Sequence, residues 1–186
     1  MQMASTMAFA AFCSGGDAPG MNPCLRALAL RAKAQGVTAL AALDGYKGLC
    51  EGNFIPLDTY ASTDLVKKGG TVIGTSRYPA FLDPAVRRQA VALLRERGIG
   101  AVIGIGGDGT YKGLWELDQL GFPAIGIPGT VDNDIPLTDY TLGFATGGSN
   151  CVAAIDRIRD TMESHHRCFV VQVMGRHCGD LALYAG

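Results

Sequence analysis

The chain has 186 residues, is 48% apolar and 18% charged, and carries a net charge of −1. That length supports one domain with a real core but not two large ones, and the composition excludes a disordered chain and argues against an electrostatic nucleic-acid binder. No apolar run reaches membrane length, and Met1-Gln2-Met3-Ala4-Ser5-Thr6 lacks the positive start of a signal peptide, so a cytoplasmic location without a membrane partner is expected.

Six cysteines (Cys13, Cys24, Cys50, Cys151, Cys168, Cys178) form no C-x-x-C pair and no zinc-type spacing, which predicts free thiols, several of them in the core. Met7-Ala8-Phe9-Ala10-Ala11-Phe12-Cys13 predicts a buried first strand, since it is short and apolar and is stopped by Ser14-Gly15-Gly16. Asn22 is placed to cap a helix that has Pro23 at its first position, runs to about Gln35 and is ended by Gly36. A strand, a glycine turn and a helix N-terminus aim backbone N–H groups at an anion, and Gly15 and Gly16 would let a phosphate approach the main chain. The pattern is neither G-x-G-x-x-G nor a Walker A loop, so taken alone it is a weak signal of a phosphate site and reads first as a plain tight turn.

Residues 37–43 read as a second strand, leading into Asp44-Gly45-Tyr46-Lys47-Gly48, where Tyr46 either frames a planar ligand or, more simply, packs as a half-buried aromatic. Ser62-Thr63-Asp64 caps a short helix through Lys68, and residues 69–74 turn into another short strand. Arg77 follows just past its end, either to meet phosphate oxygens or to pair with surface acids. Asp83-Pro84 starts the clearest helix, with Val86, Ala90, Leu93 and Leu94 on one face and an end near Arg97-Gly98. Residues 100–105 are a buried strand whose exit, Gly106-Gly107-Asp108-Gly109-Thr110, repeats the glycine-turn geometry. Asp108 sits where a carboxylate can hold Mg²⁺, unless Gly-Asp-Gly is only a turn, and Thr110 is placed to cap a helix ending at Leu120-Gly121.

The apolar run Pro123-Ala124-Ile125-Gly126-Ile127 precedes Pro128-Gly129-Thr130-Val131-Asp132-Asn133-Asp134, which should leave the C-terminal end of a strand, where open α/β sheets keep their ligands. One of Asp132 and Asp134 can accept a proton from an attacking hydroxyl while the other helps hold a metal or orients its neighbour; the plainer alternative is a surface Asx-turn. Residues 145–149 open a helix with Val152, Ile155, Ile158 and Met162 on its buried face, and His165 and His166 follow as loop residues. Arg167 opens a strand over residues 168–173, whose exit carries Arg176, and residues 181–186 read as the first turns of a helix. Alternating strands and helices predict an α/β fold, doubly wound, with a mainly parallel sheet covered by helices on both faces.

Four stretches, Ser14-Gly15-Gly16-Asp17-Ala18-Pro19-Gly20-Met21-Asn22, Gly106-Gly107-Asp108-Gly109-Thr110, the Pro128–Asp134 run and Met174-Gly175-Arg176-His177-Cys178-Gly179-Asp180, resemble in order and spacing the motifs of the bacterial-type 6-phosphofructokinase family. The resemblance spans nearly the whole chain and implies glycolytic phosphoryl transfer from MgATP to the 1-hydroxyl of fructose 6-phosphate. By it, Gly16, Arg77, Tyr78, Gly107, Asp108, Gly109 and Thr110 would bind ATP, with Asp108 serving Mg²⁺. Asp132 would be the general base, with Thr130 and Val131 lining the reacting end of the sugar. Met174, Gly175 and Arg176 would contact the sugar phosphate, and Arg176 would offset charge growing on the transferred group. Arg167 corresponds to an arginine that reaches a sugar phosphate bound mainly by a neighbouring subunit, which implies a homo-oligomer, a tetramer in relatives. Residues 1–145 would form the ATP-binding domain and residues 146–186 the start of a substrate-binding domain, largely missing at this length.

Pyrophosphate-using relatives carry Asp where Gly109 stands and Lys where Gly129 stands; a carboxylate at 109 would repel the α-phosphate of ATP, so two glycines favour ATP. The family's bacterial effector site uses arginines between subunits. Arg26 and Arg159 are present here, but Leu30 and Thr59 replace others and cannot hold phosphate as a guanidinium does. Three alternatives stand beside the kinase reading: a truncated, non-catalytic nucleotide-binding fragment, a pyrophosphate-dependent relative, and an NAD or lipid kinase sharing only the Gly107 turn.

Overall fold

The computed structural model describes residues 8–186, so the Met7 start expected for the first strand lies outside it. The elements run β1 (Ala8–Ser14), α1 (Met21–Gln35), β2 (Ala39–Ala42), α2 (Tyr46–Glu51), β3 (Phe54–Pro56), α3 (Pro84–Glu96), β4 (Ile99–Gly106), α4 (Asp108–Gln119), β5 (Ala124–Thr130), β6 (Leu142–Gly143), α5 (Phe144–Ser164) and α6 (Asp180–Ala185). The six strands lie in the order β3-β2-β1-β4-β5-β6, all pairs parallel except β2 with β3. The expected doubly wound α/β architecture is therefore present, with one antiparallel edge strand.

Alternation along β1 divides the core in two. Ala10 and Phe12 face a cluster with Leu49, Phe81, Leu94 and Leu117, from the α2, α3 and α4 side. Ala11 and Cys13 face the opposite cluster, with Met21, Leu25 and Ala29 of α1 and with Leu57 and Ile73. A sheet buried on both faces needs continuous apolar strands, which is why β1 and β4 carry almost no polar residue. Chain order reverses between β1 and β4, because β1 continues through α1 to β2 on one side while β4 continues through α4 to β5 on the other. Open α/β sheets bind ligands in the crevice at such a point.

Several local expectations hold. Gly36 ends α1 in the left-handed region (φ 64°), and the Asp83 carboxylate accepts from the Ala85 N–H at 2.7 Å to cap α3. Ser62 caps a 3-10 helix over Thr63–Lys67 by accepting from the Asp64 N–H at 3.3 Å. The buried face of α3 runs through Ala90, Val91 and Leu94, with Val86 and Leu93 half-buried.

Other expectations are corrected. Asn22 does not cap α1, which begins at Met21 after Gly20. Its buried amide instead donates to Lys68 O and Gly69 O and accepts from Val72 N–H, at 2.8–3.0 Å, so it ties the 68–72 loop to α1. That loop forms no strand over residues 69–74: Gly70 and Gly74 turn the chain at φ 66° and 74°. The second strand is shorter than expected, and the loop after it contains the unexpected helix α2. Thr110 does not cap α4, because Gly107 occupies that position. Val152, Ile155, Ile158 and Met162 of α5 are half-buried. Residues 168–173 form no strand: they pair with none of the six, and Val170 is 97% exposed. The apolar pattern of a strand is present there, but a strand exists only against a partner.

All six cysteines are free. Burial pushes the Cys13 thiol up to about 12 and those of Cys24 and Cys50 up to about 11, which keeps them protonated and inert. No helix among the described residues is long and apolar enough to cross a membrane.

Candidate active site

A cleft of about 1260 Å³ opens along the C-terminal ends of β1, β4 and β5. The β1 exit contributes Gly15, Gly16 and Asp17, and the β4 exit contributes Gly107, Asp108 and Gly109. From β5 and its exit come Gly129, Thr130, Val131, Asp132 and Asp134, and the 172–176 segment adds Met174, Gly175 and Arg176. Arg77 and Tyr78 stand on the wall before the 3-10 helix Pro79–Leu82. Every site residue expected from the sequence except Arg167 therefore lines one cleft. Arg167 lies past the C-terminus of α5, exposed, with its N–H donating to Met162 O at 2.9 Å.

The glycine turns are held by backbone-directed hydrogen bonds. The Thr110 hydroxyl donates to Ser14 O at 3.0 Å, and the Tyr46 phenol donates to Thr110 O at 2.7 Å. The Thr75 hydroxyl donates to Gly15 O at 2.8 Å, and that of Ser76 to Asp44 O at 2.7 Å. Tyr46 packs as an aromatic, stacked on Phe81 at 4.1 Å between ring centroids, but it is buried at 5% exposure, not half-buried, and borders the cleft.

The acidic end is organised differently. Asn133, at φ 54°, donates to Asp180 Oδ2 at 3.0 Å and accepts from the Thr141 N–H at 3.0 Å, which pins the turn between its two aspartates. The Asp132 N–H donates to Thr130 Oγ1 at 3.1 Å, leaving the Asp132 carboxylate with the cleft. Burial holds the Asp132 carboxyl above the usual carboxylate value, the charge of Asp134 adds to this, and Arg176 opposes it. Arg176 sits in the left-handed region at φ 52°, after Gly175 at φ 141°, where a Cβ would overlap Cys178 O. Only glycine at 175 allows the turn that brings Arg176 to the aspartates.

Asp108 pairs with Lys112 one helical turn later, Nζ to Oδ2 at 2.7 Å, with both side chains well exposed. Lys112 was not among the expected site residues, nor was Arg87. The Arg87 guanidinium pairs with Glu116 at 2.8 Å and donates to Phe81 O and Leu82 O at 3.0 and 2.8 Å, fixing the cleft wall. The i,i+4 spacing from Asp108 was a usable signal for Lys112; nothing local pointed to Arg87. Among the described residues no group of three His, Cys, Asp or Glu could hold a metal by itself. Mg²⁺ is ordinarily held by one or two carboxylates together with substrate phosphates, and a single exposed Asp108 facing the cleft fits that mode.

A family model described as Phosphofructokinase matches residues 8–186. The fold superposes on phosphofructokinase from Saccharomyces cerevisiae with a TM-score of 0.87 and 34% identity, covering 96% of this chain and 27% of that one. It superposes on the T-state of Pichia pastoris phosphofructokinase with a TM-score of 0.92 and 34% identity, covering 100% of this chain and 22% of that one. A pyrophosphate-dependent phosphofructokinase from Marinobacter aquaeolei gives a TM-score of 0.75 and 26% identity, over 96% of this chain and 48% of that one. The chain thus spans less than half the length of each of these proteins. With its motifs gathered in one cleft and a family match from Ala8 to Gly186, the chain belongs to the phosphofructokinase family.

Proposed function

We propose that this chain carries the nucleotide end and the reacting end of an ATP-dependent kinase that phosphorylates fructose 6-phosphate at its 1-hydroxyl. The observation that supports it most is Asp132. A carboxylate held above its ordinary pKa, between Asp134 and Arg176, opens into the same cleft as both glycine turns. Phosphoryl transfer asks a protein for positioning and electrostatics more than for covalent chemistry.

In this reading the backbone N–H groups at Gly16 and Gly107–Gly109 cradle the donor phosphates, with Arg77 and Tyr78 beside the nucleotide. Mg²⁺ would be held through Asp108 and, when bound, would neutralise phosphate charge. Because Asp108 and Lys112 form an exposed pair worth little, Lys112 is readily displaced to the phosphate side. Asp132 accepts the proton of the sugar hydroxyl, which Thr130 and Val131 help orient. Arg176 offsets charge on the transferred group, and Met174 and Gly175 contact the sugar phosphate. Arg167, outside the cleft, is free to serve a neighbouring subunit's sugar phosphate in a homo-oligomer. Residues 1–145 form the ATP-binding lobe and residues 146–186 begin a substrate-binding one. A cytoplasmic enzyme is the natural setting.

ATP is favoured as donor over pyrophosphate by Gly109. Gly109 lines the cleft, and nothing lies within 4 Å of a Cβ built there, so the main chain is open to an approaching group. A carboxylate at 109 would repel the phosphates of a nucleotide, whereas glycine adds neither bulk nor charge.

The test is formation of fructose 1,6-bisphosphate by the protein with Mg²⁺ and either ATP or pyrophosphate, then by Asp132→Asn. An unchanged rate in the variant would remove Asp132 as the base, and a rate with pyrophosphate alone would reverse the donor assignment. Calorimetric ATP binding without turnover would favour the nucleotide-binding fragment.

A further inference from the structure

Thr110 is 2% exposed although it stands in the first turn of α4 at the edge of the cleft. Its N–H donates to Gly107 O at 2.9 Å, its hydroxyl donates to Ser14 O at 3.0 Å, and its carbonyl accepts from the Tyr46 phenol at 2.7 Å. Both of its donors are spent inside the protein, so neither remains to offer a ligand. What the hydroxyl joins is specific: Ser14 is the last residue of β1, immediately before Gly15 and Gly16, and Thr110 follows Gly107-Asp108-Gly109 directly. One side chain thus links the two glycine turns across 96 positions of sequence.

Space is cut for this link. A Cβ at Gly106 would overlap both Thr110 Oγ1 and Ser14 O, and a Cβ at Gly113 would overlap the Tyr46 phenol. Tyr46 is in turn wedged by Phe81 and Phe12, at centroid distances of 4.1 and 4.7 Å. A buried, satisfied polar link between two backbone turns fixes their spacing, and removing one partner strands the other.

We infer that Thr110 is a positioning residue, whose hydroxyl clips the β1 turn to the α4 turn so that their N–H groups form one anion cradle with Tyr46 behind it. The identity of the anion as a nucleotide polyphosphate rests on the kinase reading; the clip does not.

The experiment compares Thr110→Val, which keeps the shape and loses the hydroxyl, with Thr110→Ser, which keeps it. Two readouts are taken: amide hydrogen exchange at residues 110 and 111, whose N–H groups donate to Gly107 O, relative to the sheet amides, and calorimetric affinity for ATP and for adenosine. In Thr110→Val, exchange at residues 110 and 111 should rise about tenfold and ATP should bind about tenfold more weakly with adenosine unaffected, the scale of one buried hydrogen bond. Thr110→Ser should restore both. Unchanged exchange at residues 110 and 111, a uniform rise across the sheet, or no rescue by serine would each overturn the inference. If the parent protein binds no ATP, the kinase reading falls while the exchange comparison still decides the clip. Should Thr110→Val not fold, Thr110→Ala replaces it: a local rise in exchange at residues 110 and 111 upholds the clip and its absence removes it.

Discussion

At one end of the cleft, Gly15, Gly16, Gly107 and Gly109 present main chain and almost no side chain, and the polar groups behind them are bonded to one another. At the other end, Asp132, Asp134 and Arg176 present charged side chains, while the scaffold's own bonds run through Asn133 and Thr141. The first arrangement suits a group that must be held without being changed, because backbone dipoles are fixed and do not titrate. The second suits a group that must lose a proton, because its charges tune one another. On the proposed kinase reading, the contrast divides the cleft into a holding end and a reacting end.

The largest effect expected from breaking this division is at Asp132. Replacing it with Asn should lower turnover about 10²–10⁴-fold while calorimetric ATP affinity stays close to that of the parent; a parallel loss of both would mean that the two ends are not separable. Gly106→Ala should act in the opposite sense. Its Cβ would overlap a backbone oxygen that cannot yield, so we expect a loss of about 1–3 kcal/mol in denaturant-measured stability, together with weakened ATP binding. Gly109→Asp lies at the same end but in open space. It should leave stability within about 0.5 kcal/mol and weaken ATP severalfold by charge repulsion, read by calorimetry.

Parts of this organisation are legible in the sequence and parts are not. The strand exits were legible because apolar runs halted by glycine name both the strand and its rim, which placed Asp108 and Asp132 together before any contact was known. Asp83 was legible because a cap acts on its own helix. Asn22 and Thr110 looked like caps by the same local rule, yet the fold spends their polar groups on partners 46 to 50 and 96 positions away, and no local pattern encodes such partners. Helix α2 escaped notice because six residues flanked by Gly45 and Gly52 have little intrinsic helicity. It forms because Tyr46 and Leu49 are buried, and because Gly48 clears the backbone of Leu43. Residues 168–173 fail in the reverse direction, carrying a strand's composition without a neighbour to pair with.

The smallest expected effect is also the one that separates the two ends most cleanly. Burial and Asp134 raise the Asp132 pKa above 3.8, and Arg176 lowers it. A base must be ionised, so the turnover rate should fall as pH drops through a value above that ordinary one. The stability sign is opposite: a carboxyl raised on folding binds protons more readily in the native state, so ionised Asp132 opposes folding above its native pKa and that cost is relieved as pH falls. Asp132→Asn should accordingly leave the melting temperature at neutral pH unchanged or slightly higher. Asp134→Asn removes a raising charge and should move the acid limb of the rate profile to lower pH, whereas Arg176→Gln removes the lowering one and should move it to higher pH. Thr110→Val, at the holding end, should weaken ATP binding without moving that limb. If it shifts the limb as the charged variants do, the two ends form a single electrostatic unit and the division fails.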